Sequence, residues 1–160
     1  MNENYAELIT GFPLFKGFTV NGAQRLLAAG QVEPHLSGEV LLKEGDKADF
    51  VLLVLAGRLE VFVDREGQHL TLTEAEPGDI LGELAVLCGI PRSASVKARG
   101  EAAVLKWSED AFRTLLLRDP SLSQRIFREA LRTLVEKERS LIDSVIDAQE
   151  EAHKSYSADN

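Results

Sequence analysis

Between Gly78 and Val96 the chain reads GDILGELAVLCGIPRSASV, three glycines, two acids, one arginine and two serines around a short apolar run. These residue types at this spacing can hold an anion. Gly82 lets the backbone approach a ligand closely, and Glu83 to Cys88 has the length for a helix of one or two turns closed by Gly89. The N-terminus of such a helix presents backbone N–H groups that attract negative charge. Pro91 fixes the approach of Arg92, whose guanidinium can fork onto two phosphate oxygens, and Ser93 adds a hydroxyl donor. The loop thus suits one phosphate. Glu83 would repel that phosphate unless it accepted hydrogen bonds from a neighbouring hydroxyl, and a ribose 2′-OH meets that need. A purely structural alternative stays open, in which Glu83 caps its own helix and Arg92 pairs with it across the loop.

The elements that must position this loop are legible from composition. Eight of the twelve glycines fall between Gly38 and Gly100, and none follows, which predicts a turn-rich β region and then an all-helical tail. Leu59, Val61 and Val63 alternate with Glu60, Phe62 and Asp64, and Leu70 and Leu72 alternate with Thr71 and Thr73, with DREGQ as a glycine-containing hairpin loop. SGEVLLKEGD, AGRLEVFV, Val96–Arg99 and Val104–Trp107 add further strands. Many short strands at roughly ten-residue spacing predict an antiparallel sandwich, roll or barrel. Ahead of them, Asn4–Ile9 is expected to form a short helix, and Thr19 to cap a second one through Ala28, closed by Gly30.

In the tail, Ser108 is expected to cap a helix carrying Phe112, Leu115 and Leu116, which Asp119-Pro120 ends. From Ser121 a second pattern begins. Phe127, Leu131, Leu134, Glu138, Leu141, Val145, Ala148 and Ala152 step alternately by four and three, the a/d seam of a coiled coil with one polar member. A stripe this long outlasts the face of a small β domain, so a partner helix is expected, most simply from a second copy of the chain through residues 121–152. The expected organisation is residues 1–119 as the β domain with its flanking helices, 120–153 as the long helix and 154–160 as a polar tail.

Composition excludes several classes. A hydrophobic content of 44% with 28% charged residues describes a globular chain, and the net charge of −8 disfavours nonspecific binding to nucleic acid. The longest apolar run, Phe50 to Ala56, is too short to span a bilayer, and Met1–Thr10 has no export-signal pattern, so a cytoplasmic protein that binds neither DNA nor membrane is expected. A metal-dependent β-roll enzyme needs clustered histidines, whereas His35, His69 and His153 are scattered; no metal and no catalytic activity are expected. Cys88 is the lone cysteine, and in an apolar turn it reads as buried filler rather than as a haem ligand.

GDILGELAVL…PRSASV resembles the phosphate-binding cassette of cyclic nucleotide-binding domains, found in catabolite-activator-type regulators, regulatory subunits of cyclic-AMP-dependent kinase and cyclic-nucleotide-gated channels. FPLFKGF, EVLLKEGDKAD, VLLVLAGRLEVF and AVLKWSEDAFRTLL are similar to further parts of that family, so that roughly Phe12 to Leu134 is covered. The resemblance implies a mainly β fold, a double-stranded β-helix or jelly-roll-like β-roll, with N-terminal helices and a long C-terminal helix. It implies that Gly82 and Leu84 offer backbone contacts, Glu83 holds the ribose 2′-OH, Arg92 pairs with the cyclic phosphate, Ser93 assists and Ala94 lines the pocket. Val61 and Leu72 would flank the base and sugar. Leu81 departs from the family, where an aromatic often precedes Gly-Glu.

The family also closes a residue of the long helix over the purine, which gives the polar seam position Glu138 a role: accepting from an exocyclic amine. Alternatively Glu138 turns toward Lys137 or Arg139, or sets helix register. The implied ligand is cyclic AMP, with cyclic GMP the less favoured choice. Capture of the phosphate would order the Glu83–Cys88 turn, shift the hinge near Ser108–Leu117 and dock the long helix, a population shift of typically ~1–3 kcal/mol. The effector downstream of that shift is not identified by the sequence. The rival expectation is a ligand-independent dimeric interaction module with the same fold.

Overall fold

The computed structural model describes residues 2–158. The chain divides into two compact units, Met1–Ser123 and Gln124–Asn160.

The first unit opens with helix α1 (Asn2–Thr10), a 3₁₀ turn at Pro13–Phe15 and helix α2 (Val20–Ala28). Thr19 caps α2 as its residue type predicts, its hydroxyl accepting from Gly22 N–H at 3.1 Å. Eight strands follow: β1 (Gln31–His35), β2 (Val40–Leu42), β3 (Phe50–Ala56), β4 (Leu59–Arg65), β5 (Gln68–Ala75), β6 (Ile80–Leu81), β7 (Ser95–Ala98) and β8 (Ala102–Ser108). Helix α3 (Glu83–Cys88) sits between β6 and β7, and α4 (Glu109–Arg118) follows β8.

The strands form two four-stranded antiparallel sheets, ordered β1-β8-β3-β6 and β2-β7-β4-β5. This is the mainly β roll with flanking helices that the resemblance implies. The apolar faces of both sheets meet in one core of Leu42, Leu52, Val54, Leu59, Val96 and Val104, against which Leu41, Phe50, Val61 and Leu81 pack. Trp107, fully buried, donates its indole N–H to Leu26 O at 2.9 Å and so ties the end of α2 to β8. The β4–β5 turn places Glu66 (φ 52°) and Gly67 (φ 76°) in the left-handed region, the geometry that a two-residue hairpin loop requires.

Ser108 caps α4, accepting from Ala111 N–H. Asp119 then ends α4 and caps the next helix, its Oδ1 accepting from Leu122 N–H at 3.0 Å. That helix, α5, runs Pro120–Ala158. It begins at Pro120 rather than Ser121 because proline is well suited to a first helical position, where no N–H is needed. It also continues through residues 154–158, past the expected end at 153: that stretch has no glycine or proline, and Ser155 and Ser157 bond back to Ala152 O and His153 O.

The second unit is the remainder of α5. Along it Phe127, Leu131, Leu134, Leu141 and Val145 are exposed, and so are Val135, Ile142 and Ile146, which widen the stripe beyond the a/d positions. No helix among the described residues is long and apolar enough to cross a membrane.

Candidate functional site

The β6–α3 junction is built around Gly82, whose φ of 81° lies where side chains are strained. A Cβ there would also overlap the guanidinium of Arg92 and force it to shift from its place against Gly82. Gly82 brings no side-chain oxygen to cap α3. The helix ends at Gly89, again left-handed at φ 65°, as its position predicts.

Arg92 is the centre of the site. Its main chain is clamped by the β2–β3 loop, Arg92 N–H donating to Asp46 O and Gly45 N–H donating to Arg92 O, both at 2.9 Å. Glu44 N–H donates to Ser95 Oγ at the same distance, which fixes the start of β7 on the same loop. The side chain turns inward and is only 4% exposed. One guanidinium nitrogen donates to Gly82 O at 3.0 Å and the other to Phe50 O at 2.6 Å. The guanidinium also lies over the Phe50 ring, 4.7 Å from its centroid, and Lys106 Nζ lies 4.4 Å from that centroid. Burial pushes the Arg92 pKa down from the ordinary arginine value, and the charges of Asp49, Asp46 and Glu83 act the other way.

The structure brings Gly82 to Arg92 through a hydrogen bond and Glu83 to it through charge, and Leu84, Ser93 and Ala94 are their neighbours in the chain. Glu83, Leu84 and Ala94 are half-buried and Ser93 is exposed. Val61 is half-buried against the core, and Leu72, on the edge strand β5, is 56% exposed beside the irregularity between Val61 and Phe62. Glu138 belongs to the second unit and is exposed on α5. Cys88 is exposed too, which corrects its reading as buried filler: it ends α3, where the chain turns outward through Gly89 to an exposed Ile90. Asp46, Asp49 and Phe50 were not singled out from sequence. The signal for the two aspartates is EVLLKEGDKAD, which carries the resemblance to a Gly-Asp loop without saying which residues reach Arg92, and Phe50 begins the apolar run that follows it. A cleft of about 630 Å³, bordered by Gly30, Glu33, Lys106 and Ser108, shares Asp49 and Phe50 with this neighbourhood.

A second buried charge lies on β4. Glu60 is 6% exposed and accepts from Thr71 Oγ1 at 2.5 Å, with His69 Nε2 at 2.8 Å and Lys97 Nζ at 3.3 Å. Beside it Phe62, also buried, is covered by His69 and Lys97. The hydrogen bonds from Thr71 and His69, opposed by burial and helped by Lys97, hold the Glu60 carboxyl at about 2. Alternation along β4 predicts Glu60 and Phe62 on the face opposite Leu59, but not that they are buried there.

The cyclic nucleotide-binding domain family matches residues 33–119, more than half of the chain, and the chain belongs to that family. Among similar proteins, the potassium channel KOR1 of Oryza sativa subsp. japonica is 34% identical over 113 residues, 70% of this chain and 13% of the channel. The cAMP-dependent protein kinase regulatory subunit of Pyricularia oryzae is 31% identical over 137 residues, 86% of this chain and 34% of that protein. The catabolite activator protein of Thermus thermophilus is similar in structure, with a TM-score of 0.73 and 27% identity over 81% of this chain and 61% of that one. The chain therefore spans only about an eighth to a third of these two curated relatives.

Proposed function

We propose that this domain captures a cyclic nucleoside monophosphate, cyclic AMP in preference to cyclic GMP, as a regulatory signal and carries out no catalytic step of its own. The observation that carries the reading is Arg92, a buried cation laid against Gly82 and hydrogen-bonded to two neutral carbonyls. Burial outweighs the charges of Asp49, Asp46 and Glu83 at Arg92, and an anion entering the cassette would add a directly bonded counter-charge. The regulatory kinase subunits and the catabolite activator among the similar proteins support this class of ligand. In this reading Arg92 meets the cyclic phosphate with help from Ser93 and from the backbone of Gly82 and Leu84. Glu83 accepts from the ribose 2′-OH, and Ala94, Val61 and Leu72 line the sugar and base.

The long helix passes the signal on. Glu138 accepts from the exocyclic amine of the purine, and residues 121–152 pair with a second copy of the chain, a role supported by the exposed apolar stripe of α5. The effector beyond that dimer is a further protein. Direct contact with DNA is not part of the reading, since a net charge of −8 opposes phosphate binding over a broad surface. A cytoplasmic setting suits a lone cysteine and such a ligand.

Calorimetric titration of the whole chain with cyclic AMP and with cyclic GMP tests this. Saturable binding, tighter for cyclic AMP, is expected. No binding by either, and no rise in melting temperature at millimolar levels, favours the ligand-independent dimeric module instead. Replacing Glu138 with Gln should alter the ratio of the two affinities by about threefold or more, one hydrogen bond's worth; an unaltered ratio removes Glu138 from the site.

A further inference from the structure

The C-terminal end of α3 is incomplete by itself. Gly89 N–H and Ile90 N–H both go to Ala85 O, and the next residue, Pro91, has no N–H to give. The Val86 carbonyl is thereby left without a donor from its own turn, the usual condition of a helix end. It is met from another element. Arg113, on α4, donates from NH2 to Val86 O at 2.7 Å, a part-buried bond across 27 residues of sequence. The same guanidinium is held by Glu109 one turn earlier on α4, at 3.0 Å from both Nε and NH2. Glu109 is itself anchored, its N–H donating to Asp49 O at 2.8 Å, and Asp49 is one of the charges acting on Arg92.

We propose that Arg113 is the positioning residue that joins the cassette helix to α4, so that α3 and α4 open and close as one unit. A cation bonded to the last carbonyls of a helix is favoured by the helix dipole as well as by the hydrogen bond, and such charge-assisted bonds are the strong ones. Any ligand that orders α3 then orders α4 through this bond. Arg113 touches no ligand; it acts through Val86. The inference rests on the proposed reading only where it concerns the ligand, since the Arg113–Val86 bond is made between two residues of the chain itself.

Hydrogen exchange on the 160-residue chain tests it, with wild type, Arg113→Met and Arg113→Lys compared free and with saturating cyclic AMP. In the free protein Arg113→Met should speed exchange of the α3 amides by about tenfold or more, the loss expected for a hydrogen bond to a charged group, and Arg113→Lys should restore part of the protection. With cyclic AMP, wild-type α4 should gain protection. Arg113→Met should still bind while its α4 gains little. Unchanged α3 exchange in the free Met variant overturns the proposal, and so does an α4 response equal to wild type or absent from both. If wild type binds no cyclic nucleotide, the reading of the cassette fails on its own, and the free-protein comparison still decides whether Arg113 joins the two helices.

Discussion

Arg92 in the cassette and Glu60 on β4 are both charged and both nearly excluded from solvent, at 4% and 6% exposure. Their surroundings differ. Glu60 is met by a threonine hydroxyl, a histidine nitrogen and a lysine ammonium, and its pKa is held down at about 2. Arg92 donates to two carbonyls, and its pKa is pushed the opposite way from a stabilised cation, downward by burial. A buried charge enclosed by its donors is part of the scaffold. A buried cation that donates to two carbonyls at the mouth of a glycine turn, with the charges of Asp49, Asp46 and Glu83 acting on it, is suited to receive an ion from outside.

Substitutions can break this contrast, beginning with the largest effect. Arg92→Leu should lower cyclic AMP affinity by about a hundredfold or more, the loss of two charge-assisted hydrogen bonds, read by calorimetry. Its melting temperature should move little, because removing a buried charge offsets the two carbonyls left without a donor. Uptake untouched by this change would show that Arg92 does not meet the ligand.

Glu60→Ala should do the reverse. Leaving Thr71, His69 and Lys97 around an empty site should cost about 2–4 kcal/mol in denaturant unfolding, with nucleotide affinity unchanged. Equal effects of the two substitutions on binding would dissolve the distinction.

The contribution of Glu60 also has a pH window. Its folded pKa of about 2 lies below the ordinary glutamate value of 4.5, so its stabilisation is fully present above 4.5 and is lost as pH falls toward 2. The melting-temperature gap between wild type and Glu60→Gln should therefore shrink over that interval. A gap that is constant with pH would place the stabilisation elsewhere. The smallest change is expected from Ser93→Ala, where one exposed hydroxyl donor should account for about fivefold in affinity.

Much of the architecture is legible in the amino-acid sequence, because the features that encode it are local. Thr19 and Ser108 cap the helices that follow them, and Asp119-Pro120 separates α4 from α5. Gly82 and Gly89 bracket α3 at the expected positions because both must take positive φ. The alternation of Leu59, Val61 and Val63 marks a strand, yet the irregularity between Val61 and Phe62 and the burial of Phe62 depend on β5 and β7 alongside. The exposure of Cys88 was likewise missed, since an apolar neighbourhood in sequence does not show which way a short helix ends.

Periodicity, caps, turn glycines and the spacing of Gly82, Glu83, Arg92 and Ser93 act within a few residues of one another, and the amino-acid sequence by itself determined them. The depth of Arg92 against a carbonyl 42 residues away, the enclosure of Glu60 by Thr71 and Lys97, and the hold of Arg113 on Val86 were decided only by the tertiary structure. Whether a charge is buried, and what answers it there, is a property of strands and helices brought together from distant parts of the chain, and no local pattern carries it.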